Sequence, residues 1–107
     1  DLVFGTGSNE ERDSSAGAIA VCGLLECAQW LPEGERKERY LSCADALLLA
    51  LAKTCTPAAG SPSDALLLHG VYSKPEGKGV DEGNLWGDYF YLEALMRRTN
   101  PNWTLYW

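Results

Sequence analysis

The sequence is poor in the residues that metal and redox sites require. Its 107 residues include one histidine and four cysteines, Cys22, Cys27, Cys43 and Cys55, and none of them forms a CxxC or a Cys/His pair at ligand spacing. We therefore expect neither a metal site nor a cofactor. The cysteines lie in or beside predicted helices among Ala and Leu, so we interpret them as buried free thiols of a reducing compartment, and we predict a cytoplasmic location.

Positive charge and long apolar runs are also scarce. Nine Lys and Arg stand against fifteen Asp and Glu, which gives a net charge of -6, and the basic residues form no stripe that could follow a phosphate backbone. No run approaches the roughly 18 apolar residues that a membrane span needs. We therefore expect no nucleic acid and no membrane as a partner. The chain opens without an initiator Met or an apolar leader, which we interpret as a start within a longer protein.

What the sequence does contain is a helical pattern. Residues that can cap a first helical turn come just before an almost uncharged helix: Asp13, Ser14 and Ser15. That helix is predicted over Ala16–Leu31, and because it is apolar on every side we expect neighbours to enclose it. After a Pro-Gly turn, Glu35–Cys55 has apolar residues on one face only and is predicted to be an outer helix. The two helices together predict an αα-hairpin.

The second half of the chain is predicted to carry the functional loop. Tyr72–Gly83 is polar and rich in glycine, and it leads directly into a third predicted helix that opens at Leu85. Loops held by a rigid scaffold are frequent positions for binding residues. Ala65–Tyr72, which precedes the loop, is either a helix end or an extended piece. The aromatic tail Asn102–Trp107 is expected to pack against the helices.

Most single residues of interest also have a structural interpretation. We expect His69 to be a buried, hydrogen-bonded histidine and Asp13 to be a helix cap. Asp88 is predicted to cap the third helix and to complement its dipole. The aromatic residues of the third helix are predicted to lie mostly in the core, although Trp86 or Tyr89 could stack on a sugar: Trp86, Tyr89, Phe90 and Tyr91.

Two stretches carry a resemblance to a known family. RDSSAGAIAVCGLLE, from Arg12, and LLLHGVYSKPEGKGVDEGNLWGDYFYLEALMR, from Leu66, resemble the C-terminal part of the unsaturated glucuronyl hydrolases, glycoside hydrolase family 88. The resemblance implies an all-α fold, in which Asp1–Trp107 is a C-terminal fragment of an (α/α)6 toroid. The fragment would supply about two αα-hairpins and a long loop on the substrate side.

The resemblance also implies an activity. Family members remove the 4,5-unsaturated uronic acid from oligosaccharides that polysaccharide lyases release, such as those from glycosaminoglycans or bacterial heteropolysaccharides. Water adds across the vinyl ether double bond, with an aspartate as acid and base, which departs from the usual two-carboxylate scheme. The family's catalytic aspartates lie upstream, so no catalytic residue is assigned to Asp13, Asp81 or Asp88, and the chain alone is expected to be inactive.

An alternative is a non-catalytic helical fragment that binds carbohydrate or forms oligomers. An open part of a toroid would leave the flanks of its inner helix exposed, and exposed apolar surface favours association. We therefore expect either self-association or association with the missing N-terminal part. The oligomeric state and the turnover of an unsaturated disaccharide separate these alternatives.

The residues implied to contact the substrate are Tyr72, Ser73 and Lys78. In the family a Tyr-Ser pair, a second Ser and a Lys lie beside the leaving sugar, where some members hold a sulfate. Here Glu76 occupies the second Ser position, and its carboxylate would repel a sulfate, although Lys74 and Lys78 partly offset this. An unsulfated substrate is therefore favoured. From the local sequence alone, these charged residues could equally form a solvated turn.

Overall fold

The computed structural model describes residues 8–100 and 102–104. It is mostly helical, as predicted. The region predicted as one long loop is instead an antiparallel β-hairpin whose tip is a short 3-10 turn over Lys74–Glu76. The elements in chain order are α1 (Ser14–Trp30), α2 (Glu35–Thr54), β1 (Gly70–Ser73), β2 (Lys78–Glu82) and α3 (Leu85–Thr99).

Helix α1 begins at a side-chain cap. The Asp13 carboxylate accepts hydrogen bonds from the backbone amides of Ser15 and Ala16, which confirms its predicted capping role. The helix starts two residues earlier than predicted because Ser14 and Ser15 lie within its first turn. It ends at Trp30, since Leu31 is extended, as a residue before proline prefers to be.

The core is centred on α1, which packs against both α2 and α3. Its inward positions recur every three or four residues, the spacing of one helical face. Helix α2 contributes only two fully buried residues, in agreement with the prediction of an outer helix. The buried apolar residues are Ala18, Val21, Cys22, Leu25, Ala28, Ala44, Leu51, Cys55, Leu67, Tyr91 and Ala94.

The expected enclosure of α1 is wrong for this chain. Ile19 is 43% exposed and Trp30 is 81% exposed, so one long side of the helix faces solvent. Two neighbouring helices can cover only part of a helix circumference. The apolar side chains on the remaining side of α1 therefore pack against no other element within residues 8–100.

The cysteines divide into two pairs. All four are free, but only Cys22 and Cys55 are buried, so the prediction of buried thiols is wrong for Cys27 and Cys43. Cys22 donates to the carbonyl oxygen of Phe90 at 3.3 Å, and burial raises the pKa of Cys22 to about 12. Among the residues described, no group of three or more His, Cys, Asp and Glu side chains could hold a metal ion.

An ion-pair cluster joins α1 to α3 at the end opposite the hairpin. The Arg97 side chain is 5% exposed and donates to Glu26 at 2.7 Å and to Glu93 at 2.8 Å. The hydrogen bond from Arg97 is the main reason that the pKa of Glu26 lies below its usual value. The guanidinium lies 4.3 Å from the ring centroid of Trp103, so this part of the tail packs down as predicted, while positions 105–107 lie outside the described residues.

No helix in the described ranges has both the length and the apolar character needed to cross a membrane.

Candidate functional site

The β-hairpin presents the three residues predicted to contact a substrate. Ser73 pairs with Lys78, and Val71 pairs with Val80, in an antiparallel register. Because strand side chains alternate between faces, Ser73 and Lys78 share one face and Tyr72 lies on the other. The hairpin therefore places the three residues close together near its tip, with Ser73 and Lys78 on one face and Tyr72 on the other.

Lys78 is already paired within the hairpin. Its ammonium lies 2.9 Å from the Glu76 carboxylate, and the two side chains are 66% and 58% exposed. Lys74, at the start of the tip, pairs instead with Glu10 and Glu11. Both interpretations of this segment, a solvated turn and a contact surface for a ligand, are compatible with exposed ion pairs of this kind.

The base of the hairpin is attached to the start of α1. The Ser14 amide donates to the carbonyl oxygen of His69 at 2.9 Å, and the Val71 amide donates to Asp13 Oδ1 at 3.4 Å. The position of β1 is therefore set by the same first turn that Asp13 caps.

The start of α3 closes the other side of the base. Asn84 caps α3 by accepting from the Gly87 amide at 2.7 Å. A Cβ atom on Gly70 would lie 2.2 Å from Asn84 Nδ2, so only glycine fits where the strand meets this cap. The hairpin thus emerges from a narrow space between the first turns of two helices.

Asp88 lies in the first turn of α3, where its charge complements the helix dipole as predicted, but the predicted capping role is wrong. Asp88 Oδ1 accepts from the amides of Leu66 at 3.0 Å and Leu67 at 2.8 Å, so it fixes the extended segment ahead of the hairpin and does not cap its own helix. The true cap, Asn84, stands directly before the first helical residue, which is the position that favours asparagine. That signal was present in the sequence.

His69 differs from the expected buried histidine. Its side chain is 41% exposed, and its Nδ1 lies 2.6 Å from Asp81 Oδ1, so it is hydrogen-bonded as predicted but not buried. Both residues have a positive φ, 66° for His69 and 60° for Asp81, which is uncommon for residues other than glycine. The contact ties the two strands at the base, beside a cavity of about 220 Å³ that Glu11, Arg12 and Thr54 also line.

Two aromatic rings meet on the other face of the hairpin. The centroids of Tyr72 and Trp86 are 5.7 Å apart, with the ring planes tilted by 52°. Tyr72 is 64% exposed, while Trp86 and Tyr89 are 37% and 45% exposed, so the prediction of a core position is wrong for these two. It is confirmed for Tyr91, which is buried, and Phe90 packs against the core. Trp86 Nε1 donates to Ser15 Oγ at 3.1 Å, a link that the sequence did not indicate.

The site as a whole offers contact chemistry. An exposed phenol ring, a hydroxyl and an ion pair lie on a hairpin that two capped helices hold in place. Such groups suit a polar ligand with an apolar ring face, and sugars have both properties.

The fold corresponds to part of an (α/α)6 toroid, the architecture of its structural neighbours. No family model matches the sequence. The similar sequences and the similar solved structures nevertheless name the same family. The chain resembles unsaturated glucuronyl hydrolases in sequence and in fold over its whole length. The prediction of this family is confirmed.

Three relatives illustrate the similarity. An unsaturated chondroitin disaccharide hydrolase of Streptococcus pyogenes serotype M1 is 52% identical over 108 residues, which is 100% of this chain and 27% of that protein. A mutant unsaturated glucuronyl hydrolase from Streptococcus agalactiae, complexed with dGlcA-GalNAc6S, superposes with a TM-score of 0.92 at 49% identity over 100% of this chain and 28% of its own.

The enzyme from Bacillus sp. GL1, described as responsible for the degradation of glycosaminoglycan, has a TM-score of 0.87 at 33% identity, over 94% of this chain and 27% of its own. This chain therefore spans about a quarter of the length of the proteins that it matches. The contact assignments of Tyr72, Ser73 and Lys78 stay a prediction.

Proposed function

We propose that Asp1–Trp107 is the C-terminal, substrate-contacting part of an unsaturated glucuronyl hydrolase. The whole protein would remove a 4,5-unsaturated uronic acid from lyase-produced oligosaccharides of the glycosaminoglycan type, by hydration of the vinyl ether double bond. Within it, this chain would hold the sugar next to the uronic acid, and residues elsewhere in the protein would supply the acid and base.

The observation that carries the proposal is the exposed hairpin. Tyr72 is the most exposed member of the aromatic pair, and Ser73 and Lys78 stand opposite each other in register near the tip. The tip projects from helix starts that fix its base on both sides. A rigid base with an exposed polar tip is suited to contact with a ligand that a larger cleft presents.

The Glu76–Lys78 ion pair supports an unsulfated substrate. The Glu76 carboxylate pairs with one of the three N–H donors of the Lys78 ammonium at 2.9 Å and offsets its charge. A sulfate would have to displace it or accept its repulsion. We therefore propose that the unsulfated disaccharide is the better ligand of this hairpin.

The first test is a turnover assay. The purified chain is mixed with an unsaturated, unsulfated chondroitin disaccharide, and the ultraviolet absorbance of the conjugated double bond is followed. We expect no change with this chain alone and loss of absorbance with a longer protein that includes it. Loss of absorbance with the chain alone would contradict the assignment of the acid and base to other parts of the protein.

Association is the second candidate function, and one feature of α3 favours it. Exposed apolar residues follow one another at intervals of four, three and four, and so form a stripe on the outer face: Leu85, Tyr89, Leu92 and Met96. We propose that this stripe packs against the remainder of a longer hydrolase or, in the isolated chain, against a second copy. Light scattering at several concentrations tests it, and a strictly monomeric chain at high concentration would contradict self-association.

The predicted cytoplasmic location is also a proposal. Four cysteines without a disulfide support it, because free thiols persist in reducing compartments.

A further inference from the structure

The aromatic contact between Tyr72 and Trp86 belongs to a longer chain of contacts. Asp13 Oδ1 accepts a hydrogen bond from Ser15 Oγ at 2.6 Å. Ser15 Oγ in turn accepts from Trp86 Nε1 at 3.1 Å. The indole then packs against the ring of Tyr72, with 5.7 Å between the centroids. A helix cap is thereby connected to an exposed side chain of the hairpin through two hydrogen bonds and one ring contact.

The direction of each hydrogen bond is fixed. A hydroxyl has one proton, and that of Ser15 points to the Asp13 carboxylate, which has none to give. The remaining lone pairs of Ser15 can only accept, and the indole N–H can only donate. Ser15 is 2% exposed, so water does not compete for these positions. The indole is consequently held in one orientation.

The backbone at this place is closely packed. A Cβ atom on Gly87 would lie 3.2 Å from the Cβ of Ser15 and 2.8 Å from Asn84 Oδ1, so glycine lets the first turns of α1 and α3 approach. On the hairpin, Gly79 has a φ of 53°, and a Cβ there would lie 3.0 Å from the Cβ of Tyr72. Both ends of the ring contact are therefore set by the backbone as well as by side chains.

Trp86 and Tyr72 differ in what they can offer a ligand. Tyr72 is 64% exposed and can present a ring face, while Trp86 is 37% exposed and has its polar atom turned inward to Ser15. The exposed Tyr72 ring thus packs against the Trp86 ring, which a hydrogen bond to Ser15 holds in place. This is the arrangement of a contact residue and a residue that orients it.

We propose that Trp86 is a positioning residue for saccharide binding, and that Ser15 and Asp13 fix its indole so that Tyr72 presents its ring to the face of a pyranose. The inference rests on the proposed function, because it assumes that Tyr72 contacts a sugar. It adds that the contact depends on three residues that do not touch the ligand. Ring stacking gains affinity when the ring is ordered before the ligand arrives.

The test compares variants of the chain by nuclear magnetic resonance with labelled tyrosine rings. The probe is the unsaturated, unsulfated chondroitin disaccharide, titrated into the unaltered chain and into Trp86→Phe, Ser15→Ala and Tyr72→Ala. Trp86→Phe keeps a ring beside Tyr72 but lacks the N–H. Trp30→Phe is the matched control, since Trp30 also donates to a side chain, Glu26, at an exposed place far along α1.

We expect Trp86→Phe and Ser15→Ala each to weaken disaccharide binding about five- to tenfold, the size of one lost hydrogen bond. Both should also shift the Tyr72 ring signals in the absence of sugar, because the indole ring current acts on them. The double variant should bind no more weakly than either single variant, since both remove the same contact. Trp30→Phe should bind as the unaltered chain does.

Two results overturn the inference in different ways. If Tyr72→Ala weakens binding but Trp86→Phe and Ser15→Ala leave the affinity unchanged, the positioning role is wrong and the saccharide site stands. If the unaltered chain shows no disaccharide-dependent shift at Tyr72, or Tyr72→Ala binds equally well, the saccharide site on this hairpin is wrong, and the positioning role falls with it. Thermal unfolding of each variant separates these outcomes from loss of the fold.

Discussion

Replacing Glu76 by glutamine should raise the affinity of the hairpin for a sulfated disaccharide. A sulfate oxygen bound to Lys78 would lie about 2.8 Å from its nitrogen. Glu76 Oε2 lies 2.9 Å from the same nitrogen, so the two anions would stand within about 5 Å of each other. At that separation two unit charges in water repel by about 0.8 kcal/mol.

The value for bulk water is appropriate because both side chains of the pair are more than half exposed. A change of about 0.8 kcal/mol corresponds to roughly fourfold in affinity. The expected result for Glu76→Gln is therefore about fourfold tighter binding of a 6-sulfated disaccharide and little change for the unsulfated one. Because exposed charges are screened, the gain should shrink as salt rises.

Calorimetric or resonance titrations at low and high salt measure this ratio. Glu33→Gln is the matched control, since Glu33 forms an exposed ion pair with Lys37 at the start of α2, away from the hairpin. If Glu76→Gln leaves the ratio of sulfated to unsulfated affinity unchanged at low salt, Glu76 does not select against sulfate. An equal change in Glu33→Gln would point to net charge in place of local repulsion.

Three further predictions concern stability and reactivity. Arg97→Met should lower the unfolding free energy by about 3 kcal/mol because it leaves the buried Glu93 carboxylate and the partly exposed Glu26 carboxylate without their shared cation. Arg98→Met breaks an exposed pair with Asp45 and should cost less than about 1 kcal/mol, and equal urea midpoints for the two variants would contradict this. In the native chain at pH 8, Cys27 and Cys43 should react with a thiol reagent while the two buried thiols react only on unfolding, and labelling of all four at one rate would refute it. Because the folded-state pKa of Glu26 is lowered, its contribution to stability is fully present above about pH 4.5 and should be lost as the pH falls further. Urea midpoints at several pH values measure this loss, which should be less steep in Arg97→Met.

The helices could be predicted because their signals are local. Asp13 before an apolar run, and the proline and glycine after it, mark the ends of α1 to within two residues. The one-sided pattern of α2 correctly placed it on the outside. These signals depend on backbone capping and on periodicity, which do not require knowledge of the neighbours.

The hairpin could not be predicted in this way because its strands are short and its contacts are distant in sequence. Gly70–Ser73 and Lys78–Glu82 are four and five residues long, and each contains one glycine, a residue that is depleted in strands, so they are too short to show a clear strand pattern. Its stability comes from partners such as the first turn of α1, more than fifty residues away in sequence.

The burial of α1 was overestimated for a related reason. Apolar residues on every side indicate that a helix can be enclosed, but they do not supply the elements that enclose it. In this chain α2 and α3 cover one side, and Ile19 and Trp30 remain exposed. The apolar pattern of a helix therefore indicates how many sides could be buried, and this can be more than the elements of the chain itself cover.

The attachment of the hairpin divides its sequence into two parts that can change with different freedom. At the base, Gly70 fits against Asn84, the Val71 amide donates to the α1 cap Asp13, and the Ser14 amide donates to the carbonyl oxygen of His69. A substitution there therefore disturbs two helix starts at once. At the tip, Pro75 and Glu76 are exposed and bury nothing, so a substitution leaves the core intact. Two or three tip residues can thus be exchanged without disturbing the packed scaffold, and we propose this tip as the place where saccharide preference could be varied by engineering.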